Sequence, residues 1–208
     1  MIYVLRRLGH TAVVLLGVSI VVFALIQLVP GDPVRLALGT RFSQESYDAL
    51  RAASGLDQPL HVQFFSYLGG ALTGDLGVSF RSGEPVTLIL LERLPATISL
   101  AVAGMIVAML IAFPLGIYAA THAGRASDAI VRIISQAGVS VPDFWMALLL
   151  ILGFSATLQW LPSSGYVPFT EDPVEWLRHV TIPAITVGLI AGSIMTRYVR
   201  SSVLEVLG

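Results

Sequence analysis

The chain has no cysteine and no lysine. Without cysteine there is no disulfide, no thiolate nucleophile and no cysteine metal site, and the redox compartment leaves no mark in the sequence. Without lysine there is no Walker A lysine, no Schiff-base amine and no lysine general base. All twelve basic residues are arginine, a bias that reads as the imprint of a GC-rich genome. Charge of either sign is scarce: 12% of 208 residues, about half of what a soluble domain carries. The histidines His10, His61, His122 and His179 fall in separate segments without metal-ligand spacing, and read as interfacial or solvent-facing. No repeat or low-complexity segment is present.

What the chain has instead is apolar length. It is 55% hydrophobic, with a mean hydropathy of +0.82. Residues 8–29 and 94–121 contain no charged side chain, 133–161 contains only Asp143, and 180–196 contains none. About 20 helical residues cross the hydrocarbon core, so the first three runs suffice. The fourth, with 17 residues, is near the lower limit and borrows His179 and Thr196 at the interfaces. Lipid offers no partner for backbone amides, so runs of this length are helical. The fold class is therefore all-α integral membrane, a polytopic bundle with spans at about 8–29, 94–121, 133–161 and 180–196. Arg6 and Arg7 precede the first run as in a secretory signal, but the run is long and no small-x-small cleavage site follows. Leu28-Val29-Pro30-Gly31-Asp32-Pro33 reads as a helix exit, which predicts a retained first span.

Arginine density sets the expected orientation. Segments 1–7, 122–132 and 197–208 hold six arginines in 30 residues; 30–93 and 162–179 hold six in 82, together with ten acids. The positive-inside rule then places both ends of the sequence in the cytoplasm and 30–93 outside. Within 30–93, Ser43 is placed to cap a helix from Gln44 to about Ala53 that stops at Gly55. Leu60 to Leu72 is amphipathic, with His61, Phe64, Phe65, Leu68 and Leu72 on a face expected to pack on the spans. Gly74-Asp75-Leu76-Gly77 is a loop, and Glu84 to Arg93 a short helix leading into the second span.

Pro114 and Pro142 lie inside the second and third spans and are expected to bend them. Ala184, Gly188 and Gly192, four residues apart, form a small-residue face suited to close helix packing. Asp143 falls about ten residues into the third span, ~15 Å along a straight helix and near mid-membrane. A charge there costs ~3 kcal/mol or more unless it meets water or a partner. It either lines a solute or proton path or is a carboxylate satisfied at the Pro142 bend, in a span that starts later. Ser135 and Ser140 line a path or bond back to helix carbonyls. Trp145, Trp160 and Tyr166 read as interface or packing aromatics. Ser163-Ser164-Gly165 has no histidine placed to partner it, which argues against an intramembrane hydrolase.

These residues, taken in order, carry a family resemblance. Arg6-Arg7-Leu8 leads to the Leu28–Pro33 exit, followed by Gly55-Leu56-Asp57-Gln58-Pro59-Leu60 and Gly74-Asp75-Leu76-Gly77-Val78-Ser79-Phe80. Arg93-Leu94-Pro95-Ala96-Thr97 and Pro114-Leu115-Gly116 mark the second span. Ser140-Val141-Pro142-Asp143-Phe144-Trp145 and Trp160-Leu161-Pro162-Ser163-Ser164-Gly165-Tyr166 follow, and Arg197 to Glu205 closes the set. The chain resembles the membrane permease subunit of bacterial ABC importers for dipeptides, oligopeptides and nickel, with the type I importer transmembrane fold.

The resemblance implies a multi-pass subunit of the bacterial cytoplasmic membrane that is not itself an enzyme and holds no cofactor. Its implied partners are a second permease, two cytoplasmic ATPase subunits that bind ATP, an extracytoplasmic solute-binding protein and lipid, with no nucleic acid. It implies a translocation path that includes Ser140, Pro142, Asp143 and Phe144. It also implies an approach to the ATPase-coupling segment through Arg200, Ser201, Ser202, Leu204 and Glu205, with Ala184, Gly188 and Gly192 in helix packing. A nickel or other small-solute permease, and a non-transporting scaffold or channel, are the alternatives. In similar permeases an Ala-rich coupling segment and two further spans follow the position of Leu207. Four spans rather than about six lead to the expectation of an incomplete subunit that cannot transport alone. In that form the last eight residues are a marginal helix, and the small-residue face lacks a partner.

Overall fold

The computed structural model describes residues 2–28, 31–39, 43–79 and 81–208. Val29 and Pro30 of the helix exit, and Phe80, lie outside the described residues. The chain folds as two compact units, 1–92 and 93–208. Among the described residues the regular secondary structure is helical, with one isolated antiparallel bridge between Val78 and Pro85.

In the first unit, α1 (Ile2–Leu28) has no charged residue after Arg7 and leaves its apolar side chains exposed on all sides, as a lipid-facing helix does. Asp32 then serves two elements at once. Its Oδ1 accepts from the amides of Val34 and Arg35 and caps α2 (Pro33–Leu38). Its Oδ2 accepts from the Tyr47 hydroxyl and, at 3.1 Å, from Arg51 Nη1, both on α3 (Gln44–Ala53). The Tyr47 hydrogen bond above all holds the Asp32 carboxyl below the usual carboxylate range.

Ser43 caps α3 through the Ser46 amide, and Gly55, at φ +64°, follows its end. On α4 (Leu60–Thr73) the expected packing face is only partly covered. Phe64 and Leu68 are half-buried, with Phe64 edge-on to Phe23 of α1, but His61, Phe65 and Leu72 are exposed. Gly74, at φ +88°, terminates α4.

α5 (Val86–Thr121) runs unbroken for 36 residues through both Pro95 and Pro114. It thereby absorbs the short helix expected from Glu84 to Arg93. In the second unit, α6 (Ala126–Ser140) and α7 (Asp143–Leu150) are separated at Val141–Pro142 by a bend of 94°. A π-helical segment, Ile151–Thr157, continues α7. α8 (Pro173–Leu207) is capped by Asp172 through the amides of Val174 and Glu175, and spans 35 residues. The run 180–196 is therefore the middle of a much longer helix. Ser201 to Leu207 is its continuous last two turns, not the isolated short helix expected.

Among the described residues three helices, α1, α5 and α8, are long and apolar enough to cross a membrane; a fourth crossing counts if the bent α6–α7 pair is one span. The core of the second unit is made mainly of small residues, with Val131, Val180 and Ile182 beside them. α5 buries Gly104, Ala108, Ala112, Gly116, Ala119 and Ala120, and α8 buries Ala184, Gly188, Gly192, Ser193 and Thr196.

Candidate functional site

Pro142 sets the geometry of the first site. Its ring carries no amide hydrogen and drives the preceding residue out of helical conformation, so Val141 is extended at ψ 124°. α6 ends there, and the Pro142 carbonyl starts α7 by accepting from the amides of Trp145 and Met146. The third apolar run is thus two helices nearly at right angles, a sharper break than the bend within one span expected at Pro142. Asp143 is the first residue of α7 rather than a residue ten positions into one helix, and the ~15 Å depth assigned on a straight axis no longer holds.

Ser140, Pro142, Asp143 and Phe144, neighbours in the chain, form this corner, and all four are exposed. Ser140 Oγ donates to the Gln136 carbonyl at 2.9 Å, the local satisfaction open to a helical serine. Asp143 Oδ1 accepts from the Phe144 amide at 2.9 Å. The corner therefore presents a carboxylate, an aromatic ring and a hydroxyl on a backbone that departs from α-helix on both sides of α7. The π-helical segment completes this departure: Thr157 Oγ1 reaches the Leu152 carbonyl five residues back. Irregular backbone inside a membrane is tolerated where it is covered by protein or lines a cavity, and π-segments gather at functional positions.

The second feature joins α5 to α8. A Cβ on Gly188 would fall 2.5 Å from Val107 Cβ and 3.0 Å from the Gly104 carbonyl oxygen. On Gly192 it would meet Ile111 Cβ at 3.0 Å, and on Gly116 it would meet Val199 Cγ1 at 2.7 Å. The small face of α8 is therefore occupied by α5 of the same chain, which corrects the expectation that it lacks a partner. Ala184, Gly188 and Gly192 stand out in the sequence; the matching stripe on α5 was missed. Gly104, Ala108, Ala112, Gly116 and Ala120 recur at the same four-residue interval and were legible by the same rule. Ser193 and Thr196 satisfy their hydroxyls on the Leu189 and Gly192 carbonyls within this seam, and Gly138 of α6 packs against Ser193. Ser135, also buried, has no hydrogen-bond partner among the described residues.

The third feature left no signal in the sequence. Asp128, on the first turn of α6 and outside the apolar runs, is buried and takes Arg200 of α8 in a two-pronged pair. Nε lies 2.7 Å from Oδ1 and Nη2 2.9 Å from Oδ2. The Gly124 amide adds a hydrogen bond to Oδ2, and Arg132 stands 3.6 Å from Oδ1. Arg200, followed by Gly124 and Arg132, holds the carboxyl down at about 2 against the opposing effect of burial. Arg200 thus locks the last turns of α8 to the start of α6. Ser201, Ser202 and Glu205 remain exposed, and Leu204 is half-buried.

Residues 1–101 match the family described as binding-protein-dependent transport system membrane component, N-terminal, and residues 112–208 match the binding-protein-dependent transport system inner membrane component. The chain belongs to this permease family. It is 40% identical to a Brucella abortus (strain 2308) protein provisionally named a peptide transport system permease, over 98% of this chain and 65% of the relative. It is 37% identical to the probable D,D-dipeptide transport system permease protein DdpB of Escherichia coli K12, over 97% and 66% of the two chains. It is 37% identical to the glutathione transport system permease protein GsiC of Salmonella typhi, over 99% and 64%. The permease sequence thus spans about 65% of the length of these relatives. Family and structure agree on a multi-pass, all-helical transmembrane domain of the type I importer kind.

Proposed function

We propose that this chain forms part of the translocation pathway of an ATP-driven peptide importer in the bacterial cytoplasmic membrane. The observation that carries the reading is the match, along nearly the whole chain, to permeases named for peptides, a dipeptide and glutathione. The chain supplies a path and no chemistry of its own. ATP is bound and split by two cytoplasmic partner subunits, a division in keeping with the lack of a Walker A lysine in these 208 residues. A second permease pairs with it in the membrane, and an extracytoplasmic binding protein delivers the solute.

In this assembly the corner at Ser140, Pro142, Asp143 and Phe144 belongs to the path. Arg200, Ser201, Ser202, Leu204 and Glu205 lie on the approach to the ATPase. The Asp128–Arg200 pair makes the end of α8 and the start of α6 move as one body. ATP drives transport only if its subunits bind one orientation of the bundle better than the other.

The test is reconstitution of the full-length permease in liposomes with its partner permease, ATPases and binding protein. ATP-dependent uptake of a labelled dipeptide, reduced by Asp143→Asn without loss of assembled complex, is the expected result. Dipeptide flux that needs no ATP would turn the reading to a channel; an assembly that takes up other solutes but no peptide would refute the substrate class.

A further inference from the structure

Between α6 and α8, on the face next to the Asp128–Arg200 pair, lies a recess of about 510 Å³ lined by Ala129, Arg132, Ile133, Gln136, Arg197 and Arg200. Three guanidinium groups thus border one cavity, and the carboxylate nearest to them is the single Asp128. Arg200 holds both oxygens of that carboxylate, and Arg132 reaches it only at 3.6 Å. The recess therefore carries an excess of two positive charges, with the Gln136 amide as a further donor.

Its position is equally specific. Arg132 is the last residue before the apolar run 133–161, and Arg197 the first after the run 180–196, so each stands at the polar end of an apolar run. Ile133 and Ile134, which come directly after Arg132, are 68% and 56% exposed. A cationic cavity with apolar side chains beside it, at the polar end of an apolar run, fits an amphiphilic anion: phosphate against the arginines and an acyl chain along the isoleucines.

We propose that this recess is a binding site for the phosphate of an anionic phospholipid headgroup. Arg132 and Arg197 are its principal ligands, and Arg200 is turned toward it while remaining paired with Asp128. An arginine fork suits two phosphate oxygens at once. The bound headgroup would neutralise the excess charge that α6 and α8 bring together, and so favour their contact.

The experiment compares the purified protein with Arg132→Gln/Arg197→Gln, which leaves the Asp128–Arg200 pair intact. A second variant, Arg6→Gln/Arg7→Gln, removes the same charge from α1. Binding of phosphatidylglycerol and of phosphatidylcholine is measured by native mass spectrometry and by retention from mixed micelles, with and without inorganic phosphate. The expected result is preferential binding of phosphatidylglycerol that weakens about fivefold for each recess arginine removed and is unchanged in the α1 variant. Inorganic phosphate at equal concentration should not displace the lipid. Equal losses in the two variants would mean general surface charge and overturn the site. Displacement by inorganic phosphate would mean a free-anion site and overturn the lipid as its occupant. No difference between the two lipids would overturn the proposal altogether.

Discussion

Gly188 decides how closely α5 and α8 approach, because the space for one methyl group there is already filled by Val107 and the Gly104 carbonyl. Gly188→Ala should force the helices apart and destabilise the unit by about 1–3 kcal/mol. Gly17→Ala on α1, where nothing lies within 4 Å, should be neutral or stabilise by up to ~1 kcal/mol. Thermal unfolding in detergent compares the two. Asp128 makes a different demand, on pH. Its carboxyl sits at about 2 in the fold, against ~3.9 in an unfolded chain. The stability this contributes is complete above about pH 4 and is lost as pH falls toward 2. Asp128→Asn should lower the unfolding midpoint at neutral pH and flatten its acid dependence, leaving the two proteins closest at the acid end of the titration. A variant whose midpoint still falls as steeply with acid would assign that dependence to other carboxylates.

Among the elements, the broken α6–α7 pair departs furthest from a simple helical span. A continuous helix from Ile130 to Leu152 would place the two backbone positions ~33 Å apart; the 94° bend brings them to ~22 Å. Both side chains are exposed and suited to spin labels. Distance measurements should give the shorter value, and Pro142→Ala should shift part of the population toward the longer one by restoring an amide at the break. α5 sets the contrast. It carries two prolines, Pro95 and Pro114, and remains one helix. Proline permits a break and does not by itself impose one. At Pro142 the helix restarts at once with Asp143 in a new direction, and α7 packs along α8.

For the whole molecule, topology is directly testable, since a cysteine introduced into these 208 residues is the only one among them. Ser54→Cys should react with a membrane-impermeant maleimide added to intact cells, and Ser127→Cys only after lysis. The reverse pattern would invert the N-in arrangement proposed from arginine density. The same arrangement would put the end of α8, the Asp128–Arg200 pair and the ATPases on one side of the membrane, which the coupling reading requires.

Apolar runs without charge, read against the length of a helix that crosses lipid, were enough to determine that this chain is helical and membrane-spanning. The rule is local, since it depends on what a backbone amide meets in hydrocarbon. The ordered motifs were enough for the family. The caps at Ser43 and Gly55 were legible for the same local reason, a side chain or a glycine serving its own turn. The small-residue stripe of α8 announced a close partner, but that the partner is α5 comes only from where two helices about 80 residues apart meet. The break at Pro142 was legible as a disturbance, and its angle was not, because the new direction of α7 is set by packing against α8. Asp128 was visible only as a charge to be counted, and Arg200 only as a residue near the coupling segment. They become a lock when the fold brings positions 72 residues apart to hydrogen-bonding distance, an encounter that no local pattern encodes.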